Sequence, residues 1–437
     1  MEKKYNFDTV INRWGTSSVK YLDGTDLLPL WVADMDFPLP EEVLSVIKKR
    51  VDHGIFGYTL TGASYWKALD SWCATEYGYH VKPSEWVTVP GIVYGLSIAI
   101  RAVTEPSDAV LIEQPVYYPF SQVVNDNNRK LIVAPLCYKD GRYTRDIGAF
   151  EKAIRENNVK AFILCSPHNP VGRVWTKEEL LAVAEICRRY DVTVIADEIH
   201  CDFIRAGIKF TSFATLGDEY KQKLILCTAP SKTFNLAGLQ VSNIWVPDTE
   251  IRKKFKKENR ANGYNEVNAL GMTAAEAVYT LGKPWLTQLK AYLEGNIAYV
   301  KDFLAKNLPS VYLVESEGTY LLWLDFHGTG LSNQDIKDRI ENKAKLWLDH
   351  GDMFGEGGEY FERINIACPR SILEQAMNRL KGAFKYSGLD VSFLIKEGQL
   401  MECCDIRSLH GIAFGKYSHL SYDSAASFLH QLLHSFQ

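Results

Sequence analysis

Five short runs, apolar almost throughout, constrain this chain more than any other feature. They are Val110-Leu111-Ile112, Lys130-Leu131-Ile132-Val133, Ala161-Phe162-Ile163-Leu164-Cys165, Val192-Thr193-Val194-Ile195-Ala196 and Leu224-Ile225-Leu226-Cys227. A strand with one wet face alternates apolar and polar residues, whereas a strand apolar at nearly every position has both faces covered. Such runs, spaced by helix-like stretches, predict a mainly parallel sheet with helices on both faces, an α/β domain. The clearest helix is 176–190: Thr176 caps it, Glu179 completes a capping box, and Leu180, Val183, Ala184 and Cys187 share one face. Another opens at Glu41-Glu42 behind Pro38 and Pro40.

Residues 281–385 have a different pattern. A long helical stretch (285–304) precedes a strand-like run (320–324), a loop with Gly355, Gly357 and Gly358, a second strand (361–367) and a helix (371–384). This reads as a smaller α+β module. The expected organisation is a large domain over 46–280, a small domain built from 1–45 and 281–385, and a C-terminal extension, 386–437, of unknown role. In that extension 391–395 and Leu400-Met401 suggest a hairpin, and 424–436 an amphipathic helix.

Composition removes several function classes. The 437 residues carry 49 Lys+Arg against 53 Asp+Glu, a net charge of −4, which gives no electrostatic case for nucleic acid or an anionic membrane as partner. An apolar share of 46% supports a large packed core and excludes a disordered chain. The N-terminal residues lack the apolar stretch of a signal peptide, and no run reaches the ~18 apolar residues that span a bilayer. Nine cysteines, with no C-x-x-C pair, read as reduced thiols in a cytoplasmic protein. The run Arg252-Lys253-Lys254-Phe255-Lys256-Lys257 reads as a solvated helix face. His430 and His434 lack a third ligand, so no metal is expected. Residues 411–416 miss the P-loop spacing, and the glycines at 355–358 lack a strand-to-helix setting, so nucleotide binding is not expected.

In an open parallel sheet, ligands sit beyond the carboxyl ends of the strands. The residues just after each run therefore sample the site. Ser166-Pro167-His168-Asn169-Pro170-Val171-Gly172-Arg173 stands after one, Asp197-Glu198-Ile199-His200 after the next, and Thr228-Ala229-Pro230-Ser231-Lys232-Thr233-Phe234-Asn235 after the last. Upstream, Pro90-Gly91-Ile92-Val93 marks a strand-to-helix turn, and Gln114-Pro115-Val116-Tyr117-Tyr118 comes after Val110–Ile112. Pyridoxal phosphate (PLP) calls for such a set. A lysine forms its Schiff base, a carboxylate keeps its pyridine nitrogen protonated, and an amide holds its phenolic oxygen. A helix N-terminus takes the phosphate and an aromatic ring covers the cofactor. No element is specific alone; the order Asn169, Asp197 28 residues on, and Lys232 35 further on is.

These motifs resemble those of the fold-type I PLP enzymes, the aspartate aminotransferase superfamily, and within it the MalY/PatB group of cystathionine β-lyases. Trp31-Val32-Ala33-Asp34-Met35-Asp36-Phe37, the Asn169, Asp197 and Lys232 segments, and Arg363-Ile364-Asn365-Ile366-Ala367-Cys368-Pro369-Arg370-Ser371 match in order, over roughly residues 5–385. The resemblance implies a large domain with a mainly parallel seven-stranded sheet, PLP as cofactor, and a homodimer with shared active sites. It implies Lys232 as the PLP-binding lysine and Cα base, Asp197 on the pyridine nitrogen, and Asn169 on the phenolic oxygen. His200 stands near that oxygen, and Tyr117 stacks on the ring with Tyr118 beside it. The N–H groups of Ile92 and Val93, with Ser231 or Thr228, hold the phosphate. Arg363 binds the substrate carboxylate as a two-pronged ion pair, with Ala33 and Asp34 nearby. Tyr58 reaches into the neighbouring subunit's site.

One departure separates the chain from ordinary aminotransferases. Their phosphate-binding arginine, eight residues after the lysine, is Gln240 here, as in the lyase group. The implied activity is β-elimination from L-cystathionine or a related L-cysteine S-conjugate, giving a thiol, pyruvate and ammonia. The alternatives are a class I/II aminotransferase and a PLP-binding regulatory protein that acts through a protein partner.

Overall fold

The computed structural model describes residues 3–22 and 24–384. Helix α1 (Glu41–Asp52) leads into a layered unit of seven strands: β1 (Trp86–Val89), β2 (Ala109–Gln114), β3 (Lys130–Pro135), β4 (Ala161–Cys165), β5 (Thr193–Asp197), β6 (Leu224–Thr228) and β7 (Ser242–Trp245). Their order in the sheet is β1-β7-β6-β5-β4-β2-β3. Only β7 runs against the rest; it is antiparallel to both β1 and β6. The sheet is therefore mainly parallel and seven-stranded, as expected.

The apolar runs form these strands because both faces are covered. Along β4, β5 and β6 every residue is buried. Phe162, Leu164, Val194, Ala196 and Leu226 pack into one layer, while Ile163, Cys165, Ile195, Ile225 and Cys227 pack into the layer opposite. That is the period-two alternation of a strand with two dry faces, each large side chain contributing about 1.5–3 kcal/mol on burial. Strand β2 extends past its apolar core through Glu113, which is buried against Arg145; Nη2 of Arg145 reaches Oε2 at 2.8 Å. Strand β5 likewise ends on Asp197. Apolarity alone stops short of both.

Between β4 and β5 lies helix α2 (Lys177–Arg189), whose capping box is present: Glu179 N–H donates to Thr176 Oγ1 (3.2 Å) and Thr176 N–H to Glu179 Oε2 (2.8 Å). The basic run lies on α3 (Thr249–Ala261), with Phe255 buried and the four lysines exposed. Sequence reading missed a hairpin, Cys137–Lys139 with Arg142–Thr144. Its signal was Asp140-Gly141, where both residues take positive φ (50° and 79°), the geometry an Asp-Gly turn favours.

A second sheet, antiparallel throughout, is built from β8 (Tyr312–Leu313), β9 (Leu321–Asp325), β10 (Asp349–His350) and β11 (Phe361–Asn365), in the order β8-β9-β11-β10. Helices α4 (Lys283–Asn307) and α5 (Arg370–Phe384) cover it through Leu289, Leu293, Leu373, Met377 and Leu380. The N-terminal segment joins the same core through Phe7, Leu30, Met35 and Phe37. The hairpin and helix expected over 386–437, and the motifs set aside there, lie outside the described residues. The seven cysteines among the described residues are unpaired, and no helix among them is long and apolar enough to cross a membrane.

Candidate active site

The register Cys165↔Asp197↔Cys227 brings the carboxyl ends of β4, β5 and β6 to one level. A cavity of about 200 Å³ opens there, and Asn169, Asp197, His200, Ser231 and Lys232 stand on its wall with Tyr117, Ile92, Val93 and Ala33. Nine of the expected site residues therefore converge.

Lys232 sits in a one-turn helix, Pro230–Thr233, directly after β6. Thr233 anchors that turn: its Oγ1 donates to buried Asp202 (2.6 Å), which also accepts from Tyr77 Oη (2.7 Å). Lys232 Nζ donates to the carbonyl of Ala33 (2.7 Å). Desolvation, reinforced by the charge of Arg363, pulls its pKa down to about 8 against the pull of Asp34 and Asp197.

Asp197 is 4% exposed, and among the described residues its Oδ1 accepts only the N–H of Ile199 (3.1 Å). Burial pushes its pKa up to about 7. A nearly dry carboxylate on a cavity wall with one hydrogen bond suits a cationic N–H partner. His200 is buried, with Nδ1 lacking a partner among the described residues and its ring edge-on to Tyr320 (6.0 Å, 73°). Desolvation, with Lys232 and Arg363 nearby, holds it well below the usual histidine range, so it is neutral.

At the other end, Gly91 caps the helix Ile92–Val103. Gly95 N–H closes the first turn on Gly91 O (2.9 Å), so the N–H groups of Ile92 and Val93 have no helix carbonyl. With Ser231 beside them, this end suits an anion. Thr228 does not reach the wall; its hydroxyl faces Asn243 O (3.5 Å). Gln240 is exposed in a left-handed conformation (φ 55°) and also lies off the wall.

Arg363, at the centre of β11, is 2% exposed. Its Nη1 donates to Asn169 Oδ1 (3.0 Å), leaving the Asn169 amide N–H groups as the donors for the cavity. Its Nη2 donates to Trp31 O (2.8 Å) and pairs with Asp349, while Nε has no partner among the described residues. Sequence reading missed Asp349. Nothing in Leu346-Trp347-Leu348-Asp349 signals it; β-ladder register alone brings it opposite Arg363.

The remaining expected residues lie elsewhere. Tyr118 packs beside Tyr117 (5.5 Å) and against Phe354 (5.9 Å), off the cavity wall. Asp34 turns toward Arg13, 2.7 Å away. Tyr58 is 97% exposed, in a stretch with exposed Ile55, Phe56 and Leu60. His168, not expected in the site, is fully buried off the wall, edge-on to Trp175 (5.8 Å). Tyr320 was missed: its hydroxyl donates to Ala33 O (3.0 Å), the acceptor of Lys232.

Residues 25–380 match the family described as aminotransferase class I and II. The chain is 43% identical over 384 residues to the cystathionine β-lyase PatB of Bacillus subtilis, covering 86% of this chain and 99% of that one. It is 30% identical over 397 residues to protein MalY of Escherichia coli, covering 87% and 99%. The crystal structure of cystalysin from Treponema denticola, which contains pyridoxal 5'-phosphate, superposes with a TM-score of 0.85 at 36% identity, covering 88% and 99%. The chain belongs to the class I and II aminotransferase family, in the branch that holds PatB and MalY.

Proposed function

We propose that this protein is a PLP-dependent carbon–sulfur β-lyase that cleaves L-cystathionine or a related L-cysteine S-conjugate. The observation that carries this reading is the convergence of Lys232, Asp197 and Asn169 on one cavity wall, with Arg363 bonded to Asn169. The 43% identity to a cystathionine β-lyase over almost its whole length favours elimination over transamination. Gln240 in place of an arginine points the same way.

The site fits the cofactor. Asp197 would take the pyridine nitrogen, Asn169 the phenolic oxygen, Tyr117 the ring face and Lys232 the aldehyde. Ile92, Val93 and Ser231 would take the phosphate. PLP held there supplies an electron sink for the pair left when Cα loses its proton.

The chain's own groups do the rest. Arg363, its guanidinium oriented by Asn169 and Trp31, holds the substrate carboxylate. Lys232 Nζ, with a pKa near 8, is partly unprotonated near neutrality and removes the Cα proton. Asp197 would pair with the pyridine nitrogen of a bound cofactor and, as a carboxylate, would favour its protonated form. The Cβ–S bond breaks with its electron pair on sulfur, and the thiolate takes up a proton. Water converts the remaining three-carbon fragment to pyruvate and ammonia. For cystathionine the thiol is homocysteine.

The rival reading is a transaminase. Incubation with cystathionine, with and without 2-oxoglutarate, separates the two. Pyruvate and free thiol without the keto acid support the lyase; keto-acid-dependent glutamate as the main product overturns it. A regulatory role through a protein partner has no observation in its favour beyond the family resemblance. We also read the protein as cytoplasmic and homodimeric, with Tyr58 completing the neighbour's site; unpaired cysteines and the exposed aromatic stretch around Tyr58 support these readings. The division into 46–280 and 1–45 with 281–385 rests on the two separate sheets.

A further inference from the structure

Segment 31–35 reaches the cavity wall at Ala33, and side chains hold each of its five carbonyls. Trp31 O accepts from Arg363 Nη2 (2.8 Å), and Met35 O from Asn235 Nδ2 (2.7 Å). The carbonyls of Val32 and Asp34 both accept from Asn365 Nδ2 at 2.6 Å, and Asn365 is fully buried. Ala33 O, between those two, accepts from Lys232 Nζ (2.7 Å) and from Tyr320 Oη (3.0 Å). The reactive amine is thus parked on a carbonyl whose neighbours are both held by Asn365 and which also accepts from a tyrosine.

Tyr320 is itself held firmly. It is fully buried, edge-on to Phe203 (4.8 Å, 87°) and His200. Its carbonyl accepts from Ile366 N–H (3.0 Å). Thr319 before it takes φ 66°, a left-handed conformation that a β-branched residue adopts only when its surroundings impose it. Thr319 N–H bonds Phe203 O (2.7 Å), and Arg205 Nη2 donates to Thr319 O. The one polar group of this anchored ring points at Ala33 O.

We propose that Tyr320 is a positioning residue for Lys232: its hydroxyl holds the Ala33 carbonyl in place and shares that acceptor with Nζ, so the amine is released for proton transfer. A carbonyl oxygen stabilises an ammonium better than an amine, because only the ammonium is charged. A second donor on the same oxygen lessens that preference and favours the free amine. The charged and titratable groups around Nζ are Asp197 from β5, His200 just beyond it, Arg363 from β11 and Asp34 from segment 31–35. None of them bonds Ala33 O.

The proposal rests on Lys232 being the reactive amine, and the test separates the two. The full chain is stripped of cofactor, and the rate of PLP capture is followed by visible absorbance across pH. Lys232→Ala should capture nothing; capture by that variant overturns the lysine assignment itself. With that settled, Tyr320→Phe, which keeps the ring, should shift the midpoint of capture upward by about half a unit to one unit. In the reloaded enzyme kcat should fall about 3- to 10-fold, with KM for the S-conjugate within twofold. An unshifted midpoint overturns the proposal, whether or not thermal stability falls. So does a variant that fails to fold, since a positioning hydroxyl is not what packs the ring.

Discussion

Arg363 and Asp349 are register partners in adjacent antiparallel strands, and their side chains form a buried ion pair beside the cavity. Arg363 also holds Asn169 through Nη1 and Trp31 through Nη2, so an incoming carboxylate finds Nε unpartnered and meets Asp349 at Nη2. The two-pronged grip expected of this arginine requires Asp349 to yield on substrate entry. Removing one partner of a buried pair leaves an uncompensated charge, at a cost of about 3–5 kcal/mol. Asp349→Asn should lower the unfolding free energy by about that amount, read from denaturant melts. KM should fall, because the substrate carboxylate then meets the full charge of Arg363. Unchanged stability with a raised KM would show that Asp349 does not compete.

Asp197 gives the cofactor-free protein a pH dependence of known sign. Its folded pKa is raised to about 7 by burial, above its value in the unfolded chain. The folded state therefore keeps a proton that the unfolded state has lost, and stability falls as pH rises from about 4 to about 7. Asp197→Asn removes this penalty. Without cofactor it should be more stable than the parent at pH 8, by roughly 2–4 kcal/mol, and the gap should close toward pH 4. A gap that is the same at both pH values would disprove the assignment. For the same reason PLP should stabilise the parent protein more at pH 8 than at pH 5.

Tyr58 sits in solvent in the single chain, far from any role there. If it completes a neighbour's site, Lys232→Ala and Tyr58→Ala should each be nearly inactive and yet complement one another. Equal mixing, with exchange of subunits, leaves about a quarter of the sites with both residues intact. Activity near that fraction on mixing is the expected result. No recovery, with subunit exchange demonstrated, would place Tyr58 outside the site.

The cap of α2 offers a control remote from the chemistry. Thr176→Ala removes the acceptor for Glu179 N–H and should lower stability by about 1 kcal/mol. kcat should be unchanged. A loss of kcat at full cofactor occupancy would mean that this helix couples to the site.

Much of this protein was readable before its fold. A strand with two dry faces must be apolar along its length, so the five runs announced a covered parallel sheet. Ligand-facing residues must then come just after the strand ends, which placed Asn169, Asp197 and Lys232 together. These inferences rest on local periodicity and on short loops that leave a strand immediately. Local pattern did not contain which polar groups meet across the fold. Asp349 meets Arg363 through register; Tyr320 and Lys232 meet on Ala33 O although 287 and 199 residues separate them from that carbonyl. Thr228 and Ser231 are equally plausible hydroxyls by position, and only the turn of the short helix puts Ser231 on the cavity wall. The order of residues along the chain was enough for the sheet, the cofactor-type constellation and the lysine. How that lysine and the arginine are held came from the folded arrangement, because buried hydrogen bonds between distant segments depend on packing rather than on periodicity.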